Sequence, residues 1–168
     1  MNKYYYENIL GNQNVTAKTN IVWVADITTL ELFRGNKVYV FLSIDAHTNL
    51  IIASVISKPV ITSQKIVRSL EKALKLRTTT DNKSKLIIHT DRGTQFSSKN
   101  YNQFVKMYKE YFCPSMTRLN TPTDNAVAEK FIRTFKEHKI KNTTIEEKLS
   151  DYLAVEPNFN SKKQSGLK

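Results

Sequence analysis

The chain has 168 residues, of which 40% are hydrophobic, and it carries a formal net charge of +11. This length suits one domain with a single core, and the apolar content excludes an intrinsically disordered chain. The positive surplus lies mainly between residues 56 and 120, and it favours a polyanionic partner, nucleic acid above all.

The sequence also argues against a membrane protein and against a cysteine-based scaffold. No apolar run reaches membrane-spanning length, and the N-terminus lacks the apolar segment of a signal peptide, so we expect a cytoplasmic location. Cys113 is the only cysteine. A single cysteine excludes an internal disulfide and a zinc site built on several cysteines.

The first third of the chain predicts three strands. Residues 1–20 are polar and have no clear period, so we interpret them as an N-terminal arm or linker. Apolar, β-branched runs then predict strands over 20–30, ending near Asp26, over 36–46 and over 49–57. The short segment between the last two strands predicts a hairpin.

Helices and strands alternate in the rest of the chain. Residues 62–77 have a helical period, with Thr62 or Ser63 as N-cap and a buried face formed by Ile66, Leu70, Ala73 and Leu74. The later elements are a strand over 85–90, a helix over 97–111 capped by Ser97 or Ser98, an extended piece over 111–118 and a helix over about 125–138. This order predicts an α/β fold, with helices packed on a mixed sheet over residues 21–141 and a polar tail over 142–168.

The helix over 62–77 also carries a basic stripe. Its members are Lys65, Arg68, Lys72 and Lys75. Because charge runs on helices are usually hydrated, we interpret the stripe as a solvated face rather than a DNA contact.

Three carboxylates stand out by their positions. Asp26 lies in an apolar strand, Asp91 follows the fourth strand, and Glu129 lies near the start of the last long helix. If the first and fourth strands are neighbours, Asp26 and Asp91 come side by side, and a helix packed at that edge brings Glu129 to the same point. A divalent cation such as Mg²⁺ would relieve their mutual repulsion, since it prefers hard oxygen ligands.

Each carboxylate also has a purely structural interpretation. Asp26 could cap a turn, Asp91 could start an Asp-Arg-Gly turn, and Glu129 could stabilise a helix N-terminus through the helix dipole. Composition and spacing leave both interpretations open.

Three longer motifs around these residues resemble one known family. They read VWVADITTL, HTDRGTQFSS and SMTRLNTPTDNAVAEKFIRTFKEH. In this order they resemble the catalytic core of the DDE transposases of bacterial insertion sequences, in the superfamily shared with retroviral integrases. The resemblance covers residues 8 to 167, and its most specific block surrounds Asp124–Lys130.

The resemblance implies a ribonuclease H-like fold, in which helices flank a five-stranded mixed sheet. It implies that Asp26, Asp91 and Glu129 are the catalytic, metal-binding triad, with Asp26 contacting two Mg²⁺ ions and each other acid contacting one. Mn²⁺ would be a substitute. The implied activity is metal-dependent DNA cleavage and strand transfer between transposon ends and target DNA, by a homo-oligomer without a nucleotide cofactor.

Further residues are expected to support this site. Asn125 matches a motif position that would help to position DNA, and Gly93 is expected to allow a backbone conformation that is costly for other residues. Arg133 and Lys136 share a helix face with Glu129 and, together with Lys130, suit phosphate contacts, although an ordinary Glu-Arg pair would also explain part of this pattern. The face expected to pack on the sheet carries Val127, Phe131 and Phe135.

Departures from the family pattern leave an alternative open. Thirty-seven residues separate Asp91 from Glu129, slightly more than is usual, and the tail FNSKKQSGL departs from the family's usual residues at Phe159, Lys163 and Gln164. No helix-turn-helix precedes the core, where the family normally has one. The alternative is a catalytically inactive, truncated transposase that only binds DNA or oligomerises.

Overall fold

A five-stranded sheet with two helices forms the framework of the protein. The computed structural model describes residues 3–11, 18–31, 37–78, 85–119, 121, 129–130 and 132–133. The elements in chain order are β1 (Val22–Glu31), β2 (Lys37–Asp45), β3 (Ile51–Ser57), α1 (Ser63–Thr78), β4 (Leu86–Thr90), α2 (Lys99–Met107) and β5 (Phe112–Met116).

The sheet is mixed, as the order of elements predicted. Its strand order is β3-β2-β1-β4-β5. The first three strands form an antiparallel meander, whereas β4 pairs in parallel with both β1 and β5. Parallel neighbours need a crossover. Helix α2 supplies it between β4 and β5, and α1 carries the chain from β3 back to β4, which lies beside β1. The first and fourth strands are therefore neighbours, which is the arrangement that the carboxylate argument requires.

Both helices begin where the sequence predicted a cap. The Thr62 hydroxyl accepts the backbone N–H of Lys65 at 3.4 Å, and Ser98, rather than Ser97, accepts the N–H of Tyr101 at 3.2 Å. Helix α2 is shorter than predicted, because turns replace the helix after Met107. The predicted apolar face of α1 is buried at all four positions, Ile66, Leu70, Ala73 and Leu74.

The sheet has a hydrophobic core on each face. The first core lies under α1 and α2 and contains Trp23, Phe41, Ile88 and an aromatic group from the α2 region, Phe96, Tyr101 and Phe104. The second core lies on the opposite face and contains Val22, Val24, Leu42 and Ile44, together with Leu10 and Ile132. Since side chains alternate across a strand, this assigns the even positions of β1 and the odd positions of β4 to the second face.

The N-terminal segment 3–11 packs against the sheet edge formed by β5. The Glu7 carbonyl accepts the N–H of Met116 at 3.3 Å, and the N–H of Ile9 donates to the Ser115 hydroxyl at 3.0 Å. Tyr6 packs against the first core, whereas Leu10 is buried in the second. The segment therefore crosses the edge from one face to the other and covers backbone groups that an edge strand would otherwise expose.

The start of β1 is held by polar contacts around Asn20. The buried Asp45 carboxylate accepts the N–H of Asn20 at 2.5 Å, as well as N–H groups of His47 and Thr48 in the turn after β2. Arg77, at the end of α1, donates to the Asn20 carbonyl at 2.9 and 3.2 Å. These contacts tie the helix end and the hairpin to the strand that carries Asp26.

Two predicted boundaries differ from the structure. β1 does not end near Asp26 but continues to Glu31, because β2 pairs with it over the whole length of the strand. The predicted helix over 125–138 is helical at residues 129–130 and 132–133, and its other residues lie outside the described part of the chain. No helix among the described residues is long and apolar enough to cross a membrane.

Candidate active site

Asp26 lies in the middle of β1, at the point where the strand loses one neighbour. On one side it pairs with Leu42 of β2. On the other side the parallel pairing with β4 ends one residue earlier, at Ala25 and Thr90. The Asp26 side chain is half-buried, and its Oδ1 accepts the N–H of Ile27 at 2.7 Å. The missing neighbour opens the sheet beside this carboxylate.

Asp91 follows β4 directly and closes a tight turn. Its Oδ1 accepts the N–H of Gly93 at 2.9 Å. The Gly93 carbonyl in turn accepts N–H groups of Phe96 and Ser97 at 3.1 and 3.0 Å. Asp91 is thus a turn residue, but Oδ2 has no hydrogen-bond partner among the described residues, so the structural role leaves one oxygen for a ligand.

Glycine is required at position 93 for a different reason from the one expected. Among the described residues, the left-handed backbone region holds Gly11, Asn20 and Asn49 and not Gly93. A Cβ added at Gly93 would instead lie 2.9 Å from Oδ1 of Asp91. The expectation of an unusual backbone conformation was wrong, because glycine is needed here for the close approach of the carboxylate.

Asp26 and Asp91 occupy neighbouring positions where the pairing of β1 with β4 ends. They are the next pair of positions after Ala25 and Thr90 in the parallel register. Asp26 follows Val22 and Val24 on the face of the second core, and Asp91 continues the alternation of Ile87 and His89 onto the same face. Two partly exposed carboxylates therefore lie on adjacent positions of one face, where their oxygens suit a divalent cation.

His89 lies two residues before Asp91, on the same face of the sheet, and is fully buried. Its Nδ1 lies 2.9 Å from the Ser115 hydroxyl, which also accepts the N–H of Ile9. This contact joins β4, β5 and the N-terminal segment. His89 therefore braces the strand end that carries Asp91.

Glu129 lies on the side of the sheet that carries the two aspartates. Ile132, three residues later on the same helical segment, is buried in the second core with Val24 and Leu42. Residues three apart share a helix face, so the helix that carries Glu129 packs on the face of Asp26. Glu129, Lys130 and Arg133 are exposed.

The structure does not assemble a complete metal centre from its described residues. Within them, no group of three or more His, Cys, Asp or Glu side chains is placed to hold one ion. Glu129 is thus on the same face as the aspartates but is not brought into a three-ligand group. Two predicted DNA-binding residues, Asn125 and Lys136, lie outside the described part of the chain, as do Val127, Phe131 and Phe135.

Sequence reasoning missed three features near the site. Ile132 is the core residue of the Glu129 helix, yet it was not in the predicted packing face. The segment 3–11 has no period that would predict its contacts with β5. Arg92 was passed over, although its guanidinium contacts both Thr117 and Tyr5. Only the motif position of Arg92, beside Asp91, was a usable signal.

Sequence comparison connects the chain with proteins of mobile DNA. Residues 16–122 match the family model of the integrase core domain. The chain is 28% identical over 165 residues to the transposase for insertion sequence element IS904 of Lactococcus lactis, with 95% of this chain and 62% of the relative covered. It is 29% identical over 158 residues to the transposase InsF for insertion sequence IS3A of Escherichia coli, with 90% and 52% covered. The chain therefore spans about half to three fifths of these relatives.

Structural comparison agrees with the architecture of the sheet. The catalytic core domain of HTLV-2 integrase, determined in complex with magnesium in a trimeric form, matches with a TM-score of 0.60 at 18% identity. The match covers 89% of this chain and 93% of that one. At such low identity the likeness establishes the fold alone. The predicted ribonuclease H-like fold, a five-stranded mixed sheet flanked by helices, is confirmed.

Proposed function

Because this chain belongs to the integrase core domain family, we propose that it is the catalytic core of a transposase. It cleaves DNA at transposon ends and joins those ends to target DNA. The curated relatives that it matches are transposases of bacterial insertion sequences. The chain spans only part of their length, so the complete transposition reaction is part of the proposal.

The observation that carries this proposal is the register of β1 and β4. It supports the proposal because Asp26 and Asp91 each directly follow the last paired residues, Ala25 and Thr90. Two half-buried carboxylates at neighbouring positions repel one another and lose part of their hydration, and both effects are costly without compensation. A bound divalent cation would supply that compensation, and it would also attract a DNA phosphate.

The donor set fits a divalent metal ion. Asp26 and Asp91 would hold it through carboxylate oxygens, with Glu129 as the third acid of the triad. The HTLV-2 core, which shares the fold, was determined with magnesium, and hard oxygen donors favour Mg²⁺, with Mn²⁺ as a substitute. Two such ions held by these acids would supply activation of a water or a DNA 3′-hydroxyl and stabilisation of the leaving oxygen.

The protein itself contributes orientation and charge. Backbone N–H groups of Ile27 and Gly93 hold one oxygen of each aspartate, which limits the rotation of both carboxylates before a ligand arrives. Lys130 and Arg133 are exposed near Glu129 and would bind backbone phosphates. Asn125 and Lys136 would extend that contact.

The remaining parts of the proposal concern assembly and location. The HTLV-2 core was determined as dimeric and trimeric forms, and we propose that this chain also acts as a homo-oligomer on DNA. A DNA-acting protein of bacterial insertion sequences works in the cytoplasm, which is the location that we propose here.

The proposal is tested by comparing wild type with Asp26→Asn and Asp91→Asn on supercoiled plasmid DNA in Mg²⁺ or Mn²⁺. We expect nicking by wild type and a loss of at least about 100-fold in both variants, because removal of groups that only support a metal ligand already costs 10–100-fold. Glu31→Gln removes an exposed acid of the same strand and is the matched control. Isothermal titration with Mn²⁺ measures metal binding separately and should show the same pattern.

The same experiment identifies the alternative. A wild type that binds DNA but is as inert as Asp91→Asn in both metals would be a non-catalytic remnant. Equal nicking by wild type and both variants would show that the activity does not come from this site.

A further inference from the structure

Arg92 is held in one orientation beside the candidate metal ligand. Its Nε donates to the Thr117 carbonyl at 2.8 Å, and its guanidinium carbon lies 5.1 Å from the centre of the Tyr5 ring. Thr117 is itself fixed, since its N–H donates to the Thr90 carbonyl at 2.9 Å. The guanidinium is therefore placed by three elements, namely the turn after β4, the end of β5 and the N-terminal segment.

The N-terminal segment holds Tyr5 from both sides. The N–H of Tyr4 donates to the Ser97 carbonyl at 2.9 Å, and the Glu7 carbonyl accepts from Met116. Tyr5 therefore has little freedom to leave Arg92, although the residue is 49% exposed. An aromatic ring that is fixed and half-exposed keeps a planar cation at the surface instead of burying it.

Most hydrogen-bonding capacity of Arg92 is unused within the described part of the chain. A guanidinium has five N–H donors, of which the Thr117 carbonyl takes the one on Nε. No described group accepts from the two terminal NH₂ groups, and Arg92 forms no ion pair with the neighbouring Asp91 among these residues. The Asp91 charge thus remains for a cation, and the Arg92 charge remains for an anion.

The position of this free fork identifies its ligand. Arg92 and Thr117 follow the carboxyl ends of the parallel strands β4 and β5, which is where open α/β sheets bind ligands. Arginine forks match phosphate oxygens, which can accept two parallel hydrogen bonds. We infer that Arg92, held by Tyr5 and Thr117, binds a backbone phosphate of DNA. This phosphate neighbours the phosphate that would lie at Asp91. The inference rests on the proposed function, because it is that reaction which brings DNA to this edge.

The competing explanation is that Arg92 only clamps neighbouring elements together, and it predicts different effects on stability and on DNA affinity. A clamp needs Arg92 only for the contacts to Tyr5 and Thr117, so its removal would lower stability without changing DNA affinity. If Arg92 binds a phosphate, it releases about one counterion from the DNA and so raises the salt dependence of binding, whatever the effect of Arg92 on stability.

The test measures DNA affinity of the full chain by fluorescence anisotropy, with a short labelled duplex, in EDTA and over a range of salt. We expect Arg92→Gln to bind about tenfold more weakly, as for a lost charged hydrogen bond, and to lower the slope of log affinity against log salt by about one. Arg92→Lys keeps the charge and should retain the slope while losing part of the affinity. Tyr5→Leu should weaken binding less than Arg92→Gln does.

The matched control is Arg68→Gln, which removes an exposed arginine from α1 on the other face of the sheet. Thermal unfolding of each variant identifies a folding defect, and if Arg92→Gln does not fold, the comparison rests on Arg92→Lys and Tyr5→Leu. An unchanged affinity and slope, or an equal loss in Arg68→Gln, would overturn the inference.

The two hypotheses fail separately. If wild type nicks plasmid DNA and Arg92→Gln binds DNA normally, the proposed function stands and the phosphate site is wrong. If Arg92→Gln loses affinity as expected but wild type is inert in both metals, the phosphate site stands and the catalytic proposal is wrong.

Discussion

At the scale of single residues, the contact between Gly93 and Asp91 sets the geometry of the candidate site. The Gly93 N–H holds Oδ1 of Asp91 at 2.9 Å, and the missing side chain leaves room for that oxygen. One residue therefore supplies both the hydrogen bond and the space. A carboxylate that is held before a ligand binds loses less freedom when it binds.

We expect Gly93→Ala to impair catalysis more than stability. The added Cβ would lie 2.9 Å from Oδ1, so the Asp91 carboxylate must move. A shift of a reacting group by up to about 1 Å costs about 10- to 100-fold in rate. Plasmid nicking as a function of Mg²⁺ concentration measures the effect, and a higher Mg²⁺ requirement would accompany it.

The control for this substitution is Thr94→Ala in the same turn, since Thr94 is exposed and its hydroxyl contacts only Gln95 among the described residues. Equal rates for Gly93→Ala and wild type would show that the close approach has no catalytic consequence.

At the scale of elements, the N-terminal segment is part of the folded core. It covers the edge of β5, contributes Leu10 to the second core and presents Tyr5 to Arg92. No hydrophobic period in the sequence predicts that this segment docks on the sheet, because an extended segment along a sheet edge contacts the core through single residues.

Two neighbouring residues of this segment allow a direct test. Leu10 is 7% exposed and Ile9 is 46% exposed. We expect Leu10→Ala to lower the free energy of unfolding by about 2–3 kcal/mol through lost burial and a cavity. Ile9→Ala should change it by less than about 0.5 kcal/mol, since surface substitutions have small effects.

Urea unfolding of both variants measures this difference. The Ile9 substitution leaves the backbone hydrogen bond to Ser115 in place, so it isolates side-chain burial. Similar values for the two variants would mean that the segment does not dock as a structural element.

At the scale of the whole molecule, the two faces of the sheet have separate tasks. One face carries α1, α2 and the aromatic core, while the other carries the aspartates and the segment with Glu129. The basic stripe of α1 is exposed at all of its positions, as expected for a solvated face, and it lies on the face away from the aspartates. The stripe and the candidate site therefore lie on opposite faces of the sheet.

The buried Tyr101 links this core to the pH dependence of global stability. Burial raises the pKa of its phenol above the ordinary value of 10.0, with a smaller contribution from Tyr6. The unfolded chain loses this proton near the ordinary value, whereas the folded chain retains it to higher pH. Stability from this group is therefore complete below about pH 10 and is lost as the pH rises further.

We expect Tyr101→Phe to be at least as stable as wild type at neutral pH and to unfold at a higher alkaline pH. The Tyr101 hydroxyl has no hydrogen-bond partner among the described residues, so its removal should recover about 1 kcal/mol of desolvation cost. Circular dichroism over an alkaline titration measures both effects. Tyr111→Phe, at an exposed position, is the control, and a destabilised Tyr101→Phe would indicate an unseen partner.

Most elements and the acidic residues of the candidate site can be read from local patterns in the chain. Apolar runs predict β1 to β4 and a helical period predicts α1, because burial follows the repeat of each element, whereas β5 was predicted only as an extended piece. The motifs point to Asp26, Asp91 and Glu129, and two of these lie where neighbouring strands were expected to bring them.

The contacts that those residues make follow from how the elements pack in three dimensions. The continuation of β1 past Asp26 depends on β2, the need for Gly93 depends on the Asp91 carboxylate, and the orientation of Arg92 depends on Tyr5, which is 87 positions earlier in the chain. Such contacts join residues that are distant in sequence, and no local period records them. The physical reason is that periodicity reports burial along one element, whereas a site is formed by side chains that several elements bring to one sheet edge.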